Sequence, residues 1–107
     1  MRPLQPASAL IDAGHGAIDK GTTLLKAMAN ENRLRILCLL DDAELSVTEL
    51  NRKLNLSQSA LSQHLAILRR ENLVLTRRAS QTIYYSLAGD EARTVVDSLV
   101  ALYGKSR

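Results

Sequence analysis

Aromatic residues are almost missing from this chain. It has no Phe, no Trp and three Tyr in 107 residues. Proteins that hold single-stranded nucleic acid stack the bases on aromatic faces, so this scarcity argues against that class. Cysteine is as scarce. The single thiol, Cys38, excludes a disulfide within the chain, which fits a reducing compartment. The two histidines, His15 and His64, are scattered relative to Cys38. A tetrahedral metal site therefore has no ligand set to draw on. No apolar run is longer than Ile36 to Leu40, far short of the ~20 residues that span a bilayer. The first ten residues, MRPLQPASAL, lack the apolar core of a signal peptide. Together these absences predict a cytoplasmic protein with no membrane contact. No nucleophile elbow, phosphate-cradling Gly loop or His-Asp-Ser or Cys-His arrangement stands out. An enzyme is not expected, and no cofactor is implied.

What is present suits one domain over residues 1–107. Hydrophobic residues make up 46% of the chain and charged residues 23%, ordinary values for a globular protein. The net charge of +3 permits a polyanionic partner without requiring one. Residues 1–7 hold both prolines and are expected to fray. Over residues 8–28, Leu10, Ile11, Ala13, Ala17, Ile18, Leu24, Leu25 and Met28 recur at helical spacing. Gly14, Gly16 and Gly21 each cost about 1 kcal/mol in such a helix but permit close approach by another. Asn30 is placed to cap the next helix, over residues 31–41, with Glu31 in its first turn. That helix is apolar nearly all round, so it should be central. Cys38 on it reads as a small buried hydrophobe, for which burial would raise the thiol pKa.

The stretch Ser46-Val47-Thr48-Glu49 has the spacing of a capping box. It predicts a short helix to about Leu54, with Val47, Leu50 and Leu54 inward. After a brief connection, Ser57 can cap a second helix running to about Glu71. Two short helices with a tight turn between them make a helix-turn-helix over residues 46–71. Residues 74–78 and 82–87 are rich in Val, Thr, Ile and Tyr and read as a hairpin. Tyr84 and Tyr85 should point to opposite faces of it. A last helix follows over residues 90–104, lined by Ala92, Val95, Val96, Leu99, Val100, Leu102 and Tyr103.

The second helix of the turn motif carries an unusual outer face. At 100° per residue, Leu61, Leu65 and Leu68 fall within about 60° of each other and form the inward stripe. Opposite them lie Ser59, Ser62, Gln63, Ala66 and Arg70, with Gln58 in the first turn and His64 on a flank. Short polar groups, an amide and a small apolar contact suit the floor of a DNA major groove. Gln pairs with adenine, Ser bonds several bases, and Ala touches a thymine methyl. Arg69, Arg70, Arg77 and Arg78 supply positive charge where phosphates would lie.

The runs AMANENRLRILCLL, ELSVTEL, LSQSALSQHLAILRRENLV and TRRASQTIYYSL, in that order and spacing, resemble the ArsR/SmtB family of winged helix-turn-helix regulators. Within it they look most like the NolR/HlyU-like subgroup, which lacks metal sites. The resemblance covers about residues 24–103. It implies a mainly α fold with a small β-hairpin: four helices, two strands and a fifth helix. It implies a homodimer through the first and last helices, residues 8–28 and 90–104, on a palindromic double-stranded DNA operator. Carried over by position, Gln58, Ser59, Ser62, Gln63 and His64 would contact bases. Ser57, Arg69, Arg70, Arg77, Arg78, Gln81 and Thr82 would meet the backbone directly or from the wing at 74–87. The chain would act as a repressor that occludes its promoter.

Metal-sensing relatives carry two Cys within the stretch that is ELSVTEL here; Ser46 and Thr48 stand there and are poor ligands for a soft metal. Redox-sensing relatives pair a Cys at the position of Cys38 with one near the chain end, where this sequence has Gly104. A one-thiol response through Cys38 is the remaining sensor. Two other readings stay open: a winged-helix protein-interaction module, and a metal-responsive repressor with a site of another kind.

Overall fold

The computed structural model describes residues 5–104; of the residues 1–7 expected to fray, 1–4 lie outside the described residues. Six helices and three strands follow in order: α1 (Ser8–Asp12), α2 (Ala17–Met28), α3 (Glu31–Leu39), β1 (Leu45–Ser46), α4 (Val47–Leu54), α5 (Gln58–Arg70), β2 (Val74–Ala79), β3 (Thr82–Leu87) and α6 (Glu91–Tyr103). The expected winged helix-turn-helix is there, with two departures near its ends and turns.

The first departure is a break in the N-terminal helix. Gly14, His15 and Gly16 take φ of +68°, +51° and +74°, a left-handed run that no α-helix contains. The apolar spacing continues through this break, so the pattern reads as one helix where the backbone forms two. Within the single chain nothing lies within 4 Å of a Cβ built at Gly14, Gly16 or Gly21. The second departure is β1. Its two residues pair with β3, Leu45 opposite Tyr85 and Ser46 opposite Tyr84, making a three-stranded sheet of order β1-β3-β2. Two residues are too few to show a period.

The caps form as expected. Asn30 Oδ1 accepts from the backbone N–H of Asn32 and Arg33 at 2.9 and 3.0 Å. Ser46 Oγ accepts from Glu49 N at 3.1 Å while the Glu49 carboxylate accepts from Ser46 N at 2.9 Å. Both halves of the capping box are therefore made. Between α4 and α5 the chain turns at Asn55, whose φ is +55°, a conformation Asn tolerates. Asn51 Oδ1 holds the next backbone N–H, of Leu56, at 2.9 Å. Ser57 Oγ then accepts from Ala60 N at 3.1 Å and starts α5.

One core joins these elements. Ile36 and Leu37 from α3, Leu40 at its C-terminal cap, Leu50 from α4, and Leu61 and Leu68 from α5 are fully buried. Ala92 and Val96 of α6 belong to the same cluster, as do Leu73 and Val74. The packing against three leucines of α5 is what fixes that helix's rotation. Cys38 departs from expectation: it is exposed, not buried. Only one side of α3 meets the core, and in the single chain the face that carries Cys38 is left uncovered.

Candidate nucleic-acid interface

Burying Leu61, Leu65 and Leu68 turns the opposite side of α5 outward. Gln58, Ser59, Ser62, Gln63, Ala66, Arg69 and Arg70 are all exposed. They form a ridge of short polar and small groups that ends in two arginines. A shallow groove runs beside it, lined by Val47, Ser62, Leu65, Ala66, Arg69, Arg70 and Tyr85. A second groove joins Gln58 to Thr48, Asn51 and Arg52 of α4. Arg52 and Thr48 thus flank the start of α5, exposed to solvent. The sequence reading passed over them because nothing in their local spacing marks them. Only the angle between α4 and α5 brings them beside Gln58.

His64 does not share the ridge. It is half-buried on the flank, with Nδ1 3.5 Å from Arg33 Nη1. A guanidinium only donates, so Nδ1 must accept, which requires a neutral ring. Burial first, and the Arg33 cation second, hold His64 below the ordinary histidine pKa. Arg33 also donates to the Ala27 carbonyl at 2.6 Å and to that of Lys26 at 3.4 Å. It ties the C-terminal end of α2 to the flank of α5.

The wing separates its two arginines. Side chains alternate along a strand, so Arg77 and Arg78 lie on opposite faces of β2. Arg78, opposite Ile83, shares its face with Thr76, Tyr85 and the buried Val74. Tyr85 lines the groove beside α5, so Arg78 faces the ridge side. Arg77, opposite Tyr84, is on the outer face, where Glu44 engages it through two hydrogen bonds. In the chain without DNA the Arg77 guanidinium is thus paired with Glu44, on the face of β2 opposite to that of Arg78. Arg69 and Arg78 form no ion pair among the described residues, whereas Arg70 meets Glu71 at 3.2 Å. The hairpin tip places Ser80, Gln81 and Thr82 in solvent. Ser57 is exposed, but its hydroxyl is committed to capping α5.

The acidic stretch after α3 is more than a solvated loop end. Besides Glu44, Asp41 accepts from Arg93 of α6 at 3.1 Å through its carboxylate and at 3.0 Å through its backbone carbonyl. Cys38 sits one turn before Asp41. Partial desolvation and the Asp41 charge raise its thiol pKa, which disfavours the reactive thiolate. Among the described residues, no three His, Cys, Asp or Glu side chains gather as a metal site. No described helix is long and apolar enough to cross a membrane.

Known proteins resemble this chain along most of its length. Residues 30–76 match the family model described as "Bacterial regulatory protein, arsR family". The transcriptional activator HlyU of Vibrio cholerae is 58% identical over 84 residues, 78% of this chain and 78% of the relative. The nodulation protein NolR of Rhizobium meliloti is 45% identical over 104 residues, 97% of this chain and 80% of the relative. The solved structure of HlyU from Vibrio cholerae N16961 superposes with a TM-score of 0.82 at 53% identity, covering 86% of this chain and 100% of that one. The chain belongs to the ArsR family of bacterial regulatory proteins: it is a winged-helix transcriptional regulator, not an enzyme.

Proposed function

We propose that the chain binds duplex DNA in a sequence-specific manner, as a homodimer on an inverted-repeat operator, and represses by occluding the promoter. The observation that carries this reading is the outward ridge of α5. Gln58, Ser59, Ser62 and Gln63 stand exposed on a helix whose rotation three buried leucines lock. Such side chains reach base edges, whereas long charged ones would hold the helix off the groove floor. Arg69, Arg70 and Arg78 flank the ridge as backbone contacts, with Gln81 and Thr82 at the wing tip. Arg52 and Thr48 add a backbone contact from α4, the helix that crosses the phosphates in this motif.

Exposed apolar surface supports the homodimer. Leu10, Ile11, Ile18, Leu25, Val100, Leu102 and Tyr103 are all exposed, and they sit on α1, α2 and α6. The last two of these helices pack on one another, so exposed apolar residues of both lie in one region of the surface. The accessible surface is 7802 Å², against about 5,900 Å² for a compact monomer of this mass. The excess is larger than the roughly 800 Å² that each partner gives a standard interface. A twofold pair would set the two α5 ridges about 34–36 Å apart, one turn of DNA.

Selection of bound fragments from randomised duplex DNA at two salt concentrations tests this. The expected product is an inverted repeat with half-sites one turn apart, bound by two chains. Recovery of unrelated sequences, bound no better than random duplex, would contradict it and favour a protein-interaction module.

A further inference from the structure

Arg77 is paired within its own chain, at the surface of the sheet. Its Nε donates to Glu44 Oε2 at 2.9 Å and its Nη2 to Oε1 at 2.6 Å. The guanidinium carbon lies 5.0 Å from the centre of the Tyr84 ring. Arg77 is on β2, at one edge of the sheet; Tyr84 is opposite it on the central β3. Glu44 immediately precedes β1, at the other edge. One arginine therefore bridges the full width of the sheet over an aromatic ring. The glutamate's carboxyl is held below the usual range, first by this hydrogen bonding, so it is charged whenever DNA binding is measured.

That bridge crosses a narrow joint. β1 pairs with β3 through Leu45 and Ser46 alone. Ser46 is also the residue that caps α4, so β1 is where the wing meets the helix-turn-helix. Two residue pairs leave the wing's angle weakly determined at that edge, and the Glu44–Arg77–Tyr84 clasp adds a link there. The opposite face of the same strand presents Arg78 toward α5.

We propose that Glu44 is a positioning residue for DNA binding: through Arg77 and Tyr84 it holds the wing at the angle at which Arg78 meets the phosphates. The inference rests on the DNA-binding reading above. A clasp can shift a conformational equilibrium by no more than its own free energy. An exposed ion pair with a cation–π contact is modest, so losing it should weaken binding by roughly three- to tenfold.

The test is a double-mutant cycle on the selected operator, using the full chain and read across a salt series. Glu44→Ala and Arg77→Ala should each weaken binding to that extent, and the double variant should bind no worse than either single one. Neither should change the slope of log affinity against log salt, because Arg77 meets no phosphate. Arg78→Ala should lower that slope by about one. Exchanging the charges, Glu44→Arg together with Arg77→Glu, restores the ion pair but not the contact with the Tyr84 ring, and should recover part of the lost affinity. Additive losses, a slope lowered by Arg77→Ala, tighter binding by Glu44→Ala, or no rescue would each overturn the proposal. If the wild-type chain itself fails to prefer the operator over random duplex, the DNA-binding reading fails and takes this inference with it, a result distinct from the others.

Discussion

His64 lies on the flank of α5, half-buried, and not on its outward ridge. Its sequence position falls among the family's recognition residues, yet its ring packs on the flank of α5 beside Arg33. The folded protein prefers the neutral ring, so its pKa lies below the ordinary value. The unfolded chain then binds more protons as pH falls through the histidine range, and stability rises with pH across that window. Acidification from about pH 6.5 downward should therefore destabilise the wild type more than His64→Gln. Denaturant midpoints measured between neutral and acidic pH check this; parallel curves for the two proteins would show that the ring makes no such contribution. Cys38 is the second instructive residue. Its neighbours Leu37, Leu39 and Leu40 suggest burial, and the structure leaves it exposed. A helix that is apolar all round shows from sequence that several faces need cover, but not which of them this chain covers itself.

At the scale of elements, the chemistry that starts helices was the most legible. Asn30, Ser46 with Glu49, and Ser57 all do what their spacing announces. These signals act over three residues, so no tertiary context can hide them. Ser46→Ala removes one half of the capping box at the joint between β1 and α4. It should cost about 1 kcal/mol, lowering the melting temperature by roughly 4 °C in a domain of this size; a melting curve that does not move would contradict the reciprocal cap. Other features stayed hidden for physical reasons. The break at Gly14–Gly16 leaves the apolar spacing of the flanking helices intact. The contacts Glu44–Arg77 and Asp41–Arg93 join residues 33 and 52 positions apart, which no local pattern encodes. Strand parity, by contrast, was available. Adjacent residues on β2 cannot both face α5, and that rule alone separates Arg78 from Arg77.

At the scale of the whole molecule, the shape is flat. The chain extends 46 × 39 × 22 Å with a radius of gyration of 15.5 Å, where a compact domain of this length would have about 13 Å. A flat body with apolar helices at one end and a polar ridge beside a wing at another has two separate surfaces to satisfy. Affinities for the selected operator and for random duplex are compared for wild type, Gln58→Ala and Ser59→Ala at fixed salt. The account predicts that each substitution lowers operator affinity by about 1–3 kcal/mol and leaves random-duplex affinity nearly unchanged, so that discrimination falls. Equal losses on both DNAs, or no loss on either, would contradict base reading by α5.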